Sequence, residues 1–402
     1  MNKFYSWGAA LGACIALAAC NGTSSSSSPS APSGFSVTAA DGAAIVTWNQ
    51  QSGLSYWLFG AMTSNLTVSN VLDQPHNMIL SGVSSPYVVA SLTNGSAYSF
   101  LMNATKDSGP AGSATAAVTV VPQASGYTWQ NANAFSAANQ YGQAWGTNLY
   151  AAVGAGGAIN TSPDGINWTA RSSGTANDLY AATYTATLAD VFVAVGANGA
   201  IVTSPDAVTW TVQASGTAAN LRAISFNGTY YVAVGDNGAV LTSTNAYTWT
   251  VQTPPTTANL YGITYDSTNS TFYAVGSGGV ILSSTDGWQW TLVTSNTTND
   301  LYSIAFGNAL FVAVGANGTI MQSADGVTWA QQSSPTNQSL YSVVYGSQFA
   351  AAGAGGVTLN GTPAGTAWTA SSSGTSQDLH SLSFDFYRLL ALGNAGTNVI
   401  SY

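Results

Sequence analysis

Short apolar runs separated by clusters of glycine, asparagine, serine and proline recur along the chain, the pattern of strands joined by turns. Between residues 34 and 121 the runs are Ala44–Trp48, Tyr56–Phe59, Tyr87–Val89, Tyr98–Met102 and Ala116–Val121. About 90 residues of such strands suit one small β-sandwich over residues 34–122. From residue 126 onward the runs change character. Val191–Val195 and Tyr230–Val234 are apolar without alternation, so both faces of those strands are expected to be covered.

The second region also repeats itself. One unit reads Leu301–Phe306, then Leu310–Val314 with the turn Gly315–Gly318, then Thr319–Ser323 and a turn that reaches Trp329, four short strands in all. Tryptophan recurs at the same place in the unit at Trp129, Trp168, Trp210, Trp249, Trp290, Trp329 and Trp368, 39 to 42 residues apart. Glycine opens the equivalent turn at Gly154, Gly196, Gly235, Gly276, Gly315, Gly353 and Gly393. A four-stranded unit of this size cannot bury both faces of its sheet alone, whereas radial stacking on its neighbours can. The expected fold is all-β: a β-sandwich followed by a seven-bladed β-propeller over residues 126–402. The tryptophan series starts before any first-strand pattern, and the glycine series ends with no tryptophan after it. The last blade is therefore expected to be composite, with Tyr127–Asn131 as its outer strand and its three inner strands drawn from His380–Tyr402, which closes the ring without an open edge.

Composition narrows the function. Of 402 residues 46% are hydrophobic and 5% charged, and the 14 acidic residues are all Asp against 5 Lys or Arg, a net charge of -9. Nucleic acid is excluded as a partner by that balance, and helical bundles by the near absence of Glu, Lys and Arg. At the start, Lys3, the mostly apolar residues 4–17 and the small residues before Cys20 read as a secretory leader of residues 1–19. The sequence Leu17-Ala18-Ala19-Cys20 resembles the bacterial lipoprotein signal. That resemblance implies cleavage before Cys20, acylation of Cys20, and attachment to a membrane of the bacterial cell envelope through lipid. Asn21, where an inner-membrane retention Asp would sit, implies the outer membrane, with the protein periplasmic or surface-exposed. An ordinary leader with a chance cysteine is the other reading. Residues 20–33, rich in Ser and Pro, form the expected tether. Cys14 would leave with the leader, so no disulfide is available to the mature chain.

Three further resemblances rest on local motifs. Trp48 with Leu92-Thr93-Asn94-Gly95-Ser96-Ala97-Tyr98 is similar to the fibronectin type III domain, which implies that Tyr98 forms a tyrosine corner and Trp48 fills the core. Where some members carry an integrin-binding tripeptide, this loop reads Lys106-Asp107-Ser108-Gly109-Pro110. Ser162-Pro163-Asp164-Gly165-Ile166-Asn167-Trp168 and Ser323-Ala324-Asp325-Gly326-Val327-Thr328-Trp329 resemble the Asp box of sialidases and related propellers, with Asn245 replacing the Asp in one unit and an extra residue before Trp368 in another. A short acidic or amide side chain can accept bonds from its own turn, so the box reads as structural. The whole of residues 126–402 resembles photosystem II stability and assembly factor-like propellers. That family uses an arginine-rich patch, for which only Arg171, Arg222 and Arg388 exist here.

Catalytic chemistry finds few candidates. A sialidase-type site needs three converging arginines and a Glu, and these three arginines occupy unlike positions in their units. Most Asp residues repeat: Asp164, Asp206, Asp286 and Asp325 in boxes, Asp178, Asp300 and Asp378 before inner strands. Gly235-Asp236-Asn237-Gly238 has calcium-like residues without EF-hand spacing, and His76 and His380 are too few for zinc. No cofactor is implied. What remains is a ring at the start of each inner strand: Tyr141, Tyr180, Arg222, Tyr261, Tyr302, Tyr341 and His380, expected around the mouth of the central channel. It reads as a docking surface for a glycan, a peptide or an envelope protein, or as aromatic packing between blades. The expected function is thus a non-catalytic binding or assembly module. A carbohydrate-active hydrolase using non-repeated Asp is the alternative, and an inert spacer the third.

Overall fold

The computed structural model describes residues 28–402 apart from 108, 133 and 187–189. The expected leader, the lipidation site Cys20 and most of the tether lie outside the described residues. The chain divides into two compact units, Met1–Gln123 and Ala124–Tyr402.

In the first unit, a three-stranded sheet runs Ser36–Ala40, Ala43–Thr47, Tyr87–Val89, and a four-stranded sheet runs Met78–Ser81, Leu54–Ala61, Tyr98–Lys106, Val118–Val120 in spatial order. Two of these, Ser36–Ala40 and Met78–Ser81, are absent from the sequence-based expectation because their runs are short and interrupted by polar residues. Both sheets contribute to one core in which Trp48, Tyr56, Leu58, Tyr98, Phe100 and Met102 are buried. The Tyr98 hydroxyl accepts the Thr93 N–H at 3.2 Å, tying strand to preceding corner.

The second unit is built from antiparallel four-stranded sheets, seven among the described residues. In a representative sheet, Leu301–Gly307, Leu310–Gly315, Ile320–Ser323 and Ala330–Gln331 follow in order. The innermost strands, Gln140–Gly146, Leu179–Thr185, Leu221–Phe226, Leu260–Asp266, Leu301–Gly307, Leu340–Tyr345 and Leu379–Phe384, touch in succession, and the last touches the first. The continuous apolar runs have the predicted cause. Buried clusters straddle neighbouring sheets: Tyr273, Val275 and Ile281 of one sheet pack with Leu301, Phe311, Met321 and Trp329 of the next. At about 1.5–3 kcal/mol for each large apolar side chain buried, these interfaces hold the ring together.

The last sheet takes its outer strand from the start of the unit, as Gln130–Ala132 pairs antiparallel with Asn398–Ser401. That strand begins three residues later than the expected Tyr127. Gly126–Trp129 forms a closed turn instead, with the Trp129 indole N–H donating to the Gly126 carbonyl at 2.8 Å. The same bond recurs throughout the tryptophan series, for example from Trp329 to the Gly326 carbonyl at 3.1 Å and from Trp368 to Gly365 at 3.0 Å. Each tryptophan lids its own hairpin.

The turn glycine has a steric reason. Gly315 is extended, but a Cβ there would collide with the Asp300 carbonyl, which accepts the Ala316 N–H at 2.9 Å. Three residues on, Gly318 adopts φ +68°, a conformation that L side chains rarely take.

Candidate functional site

Each ring residue occupies the same irregular place in its strand. Leu301 pairs with Gly315 and Ser303 with Val314, so Tyr302 is opposite no partner. The same skip falls at Tyr180, Arg222, Tyr261, Tyr341 and His380, and at Tyr141 in the first sheet. These are β-bulges, which release one residue from the ladder and re-aim its side chain. The residue before the bulge is a fully buried Leu in six strands, such as Leu301 and Leu340, and Gln140 in the first. The residue after it is small: Gly142, Ala181, Ala223, Gly262, Ser303, Ser342 or Ser381. Close approach explains this, since a Cβ on Gly262 would press against the Ser303 Cα and Tyr302 carbonyl of the next sheet. An anchor, a released side chain and a tight spacer therefore make one module, repeated around the axis.

All seven expected residues come together around one open cavity of about 620 Å³. Its size falls within the range of small-molecule and peptide side-chain sites. The rings form a chain of contacts: Tyr261 to Tyr302 at 5.6 Å, Tyr302 to Tyr341 at 5.8 Å, Tyr341 to His380 at 5.3 Å, His380 to Tyr141 at 5.5 Å and Tyr141 to Tyr180 at 5.7 Å between centroids. Arg222 continues it, its guanidinium carbon 4.5 Å from the Tyr180 centroid. All seven are half-buried.

The two departures from tyrosine each carry a matched partner. Arg222 donates from Nε and Nη2 to the two carboxylate oxygens of Asp236 at 2.9 and 2.8 Å. His380 Nε2 is 2.8 Å from Asn394 Oδ1. Asp236 and Asn394 occupy the same turn position, directly after the turn glycine, where the tyrosine-bearing sheets have Ala155, Ala197, Ser277, Ala316 and Ala354. The Asp236 carboxyl is held below its usual range, chiefly by the Arg222 bond. Asp236, which in sequence suggested an incomplete calcium loop, thus serves as the counter-ion of Arg222. A signal was present: the only charged residue in that turn position falls in the unit with the only cationic ring residue.

The repeated Asp residues before the inner strands hold sheet to sheet. Asp178 accepts the Gly156 N–H at 2.7 Å, Asp300 that of Gly278 at 2.8 Å and Asp378 that of Gly355 at 2.8 Å. Asn220 and Asn259 make the same bond to Asn198 and Asn237, each at 2.9 Å. The acidic groups also act on the phenols. Burial first, and then Asp300, raises the pKa of Tyr302; burial and Asp378 raise Tyr341. Burial likewise raises Tyr180, with Arg222 opposing and Asp178 adding. These hydroxyls stay protonated at neutral pH and have a proton to offer a ligand, the reverse of what a phenolate nucleophile requires.

The three arginines do not share a site. Arg171 donates to Thr161 Oγ1 at 2.9 Å on an outer strand, Arg222 lines the cavity, and Arg388 donates to Asp385 Oδ2 at 2.7 Å. Asp385 also accepts from the buried Tyr150 hydroxyl across the junction of the last and first sheets. Burial, reinforced by Asp385, drives the Tyr150 pKa far upward.

No family model matches the chain, and no curated protein matches it. Solved structures do. YCF48 from Cyanidioschyzon merolae aligns at 14% identity and TM-score 0.57 over 68% of this chain and 98% of its own, and YCF48 bound to D1 peptide over 69% and 95% with the same identity and TM-score. A catalytically inactive virginiamycin B lyase from Staphylococcus aureus aligns at 12% identity and TM-score 0.61, covering 68% and 99%. The WD40 beta propeller domain of Doa1 aligns at 9% identity and TM-score 0.57, covering 69% and 97%. The second unit is a β-propeller. At these identities the likeness is one of fold, and a propeller accommodates unrelated activities.

Proposed function

We propose that the protein is a non-catalytic binding or assembly module whose partner, a peptide, a glycan or an envelope protein, docks at the propeller mouth. One observation carries this: a bulge in every innermost strand delivers five tyrosines, Arg222 and His380 to the rim of a single cavity. Packing alone would not need seven irregularities in the ladder. Tyrosine and arginine are also the side chains that most often dominate binding energy. Among the similar folds, the YCF48 structure with a D1 peptide fits a propeller that receives a polypeptide.

Around that site we read a seven-bladed ring with a composite last blade, supported by the count of four-stranded sheets and the pairing of Gln130–Ala132 with Asn398–Ser401. A fibronectin type III-like spacer over residues 34–122 is supported by buried Trp48 and the Tyr98 corner bond. Residues 20–33 are the tether, anchored by lipid on Cys20 in the outer membrane.

The test of docking is a peptide and glycan screen of the full chain, followed by Tyr302→Ala and Tyr341→Ala against each hit. Loss of a hot spot costs at least ~2 kcal/mol, so affinity should fall about thirtyfold. Hits that bind both variants normally would move the site elsewhere. For the anchor, fatty-acid labelling should mark the wild type and spare Cys20→Ser; label on the variant, or none on the wild type, removes the lipid.

A further inference from the structure

The mouth is acidic as well as aromatic. Asp236 is neutralised by Arg222, and among the described residues the other ion pair is Arg388 with Asp385. Asp178 lines the cavity, Asp300 and Asp378 stand at the starts of innermost strands just outside that lining, where each accepts a turn N–H and acts on Tyr302 or Tyr341, and none of the three is in an ion pair among the described residues. An anion entering this end would be repelled, and a neutral sugar would gain nothing from the charges. A cation gains twice, from carboxylates and from the electron-rich faces of the phenols.

The molecule already demonstrates such a seat. Arg222 stacks over Tyr180 and is gripped by a carboxylate from the adjacent turn. The side of the ring that runs on from Arg222, with Tyr261 next to it and then Tyr302 and Tyr341, has the aromatic part and Asp300 and Asp378 beside it, two carboxylates that no ion pair among the described residues engages.

We propose that this side of the ring takes an organic cation, a primary ammonium or a guanidinium, seated among Tyr261, Tyr302 and Tyr341 with Asp300 and Asp378 supplying the countercharge. The proposal rests on the mouth being the docking site. The cation has two possible sources with the same chemistry, a Lys or Arg side chain of a polypeptide or a free amine.

Calorimetric titration of the full chain with Nα-acetyl-arginine amide, Nα-acetyl-lysine amide and the neutral Nα-acetyl-citrulline amide tests the charge. The cations should bind about tenfold more tightly than citrulline, and the difference should shrink with added salt. Tyr302→Leu should lose about tenfold in cation affinity while Tyr302→Phe, which keeps the aromatic face, stays within about threefold. The double variant Asp300→Asn with Asp378→Asn guards against misfolding, because Asn220 and Asn259 natively make the same turn bond. It should melt like the wild type and lose about fivefold in cation affinity.

Equal binding of citrulline and arginine, no cation binding, or an unchanged double variant overturns the proposal. If the cations fail while a screened neutral ligand still loses affinity in Tyr302→Leu, docking at the mouth stands and its cationic ligand falls. If no ligand responds to any ring substitution, both fall. Tighter binding of an arginine-containing hexapeptide than of spermidine supports the proposal with a polypeptide source, and the reverse order supports it with a free amine.

Discussion

At the tryptophan turns, exchanging Asp for Asn changes almost nothing. Asp325 Oδ1 accepts the Val327 and Thr328 N–H groups at 2.8 and 2.7 Å, and Asn245 Oδ1 accepts those of Tyr247 and Thr248 at 2.9 Å each. At the mouth, on the other end of the same sheets, exchanging Tyr for Arg or His comes with a second change in the facing turn, Asp236 or Asn394. The difference lies in who satisfies whom. A box closes on itself through local bonds, so any short acceptor serves, whereas a ring side chain depends on a partner from another strand, and a new residue needs a new partner. One end keeps its geometry whichever acceptor is present, and at the other each departure from tyrosine is matched by a change in the facing turn.

The largest expected effect comes from removing what both ends depend on, closure. The Gly126 carbonyl accepts from Trp129, from Asn360 Nδ2 at 2.7 Å and from Ser371 Oγ at 2.9 Å, while its N–H donates to Ser401 Oγ at 2.6 Å. Deleting residues 126–132 strips this network and leaves Asn398–Ser401 as an open strand edge. The product should aggregate in size-exclusion and light-scattering runs. A monomer with one sharp unfolding transition would mean that closure is dispensable.

Next comes the box end itself. Trp329, 2% exposed, packs on Phe311 at 6.1 Å and fills the interface to the preceding sheet. Trp329→Ala should cost about 3–5 kcal/mol, lowering the melting temperature by about 10 °C, with ligand affinity at the mouth unchanged. Equal damage to binding would deny that the two ends are separable.

Third is the compensation at the mouth. Asp236→Ala leaves the half-buried Arg222 without its acceptor and should cost about 1–2 kcal/mol by denaturant unfolding. Adding Arg222→Tyr restores the Tyr-plus-Ala combination of Tyr302 with Ala316, so the double variant should be more stable than Asp236→Ala alone. Additive losses would show that the pair is coincidental.

These contrasts also explain what was legible in the sequence. Trp329 and Gly315 belong to series repeated at every sheet, and repetition at a fixed interval reveals both the fold and the ring positions. The bulge at Tyr302 is a matter of register between two strands, which residue types alone do not encode. The Arg222–Asp236 pair joins positions 14 apart. It is recognisable only when the units are compared with one another and two departures fall in the same one. The strands Ser36–Ala40 and Met78–Ser81 belong to a unit without repeats, where a short run has no second copy to reinforce it.

The smallest effect tests whether charge matters at the box at all. Hydrogen bonds from Thr328 and Val327 hold the Asp325 carboxyl down at about 2. A depressed folded-state value means that the carboxylate contributes stability that is fully present above its unfolded value, about 3.9, and is lost as pH falls through about 2. Asp206 and Asp286 are lowered in the same direction by their own turns, and Asp164 too, where burial pushes up but the turn bonds together outweigh it. The Asn245 box has nothing to titrate. Melting temperature should therefore be flat near neutrality and fall below pH 4. Asp325→Asn, which copies Asn245, should melt within about 1 °C of the wild type at pH 7 and lose less on acidification. The residual acid limb then belongs to the remaining Asp boxes and to Asp236, held down by Arg222, and should shrink further as each box is converted. If instead Asp325→Asn melts far lower at pH 7, the carboxylate charge itself supports the turn, and the self-contained box must be replaced by one that relies on charge as the mouth does.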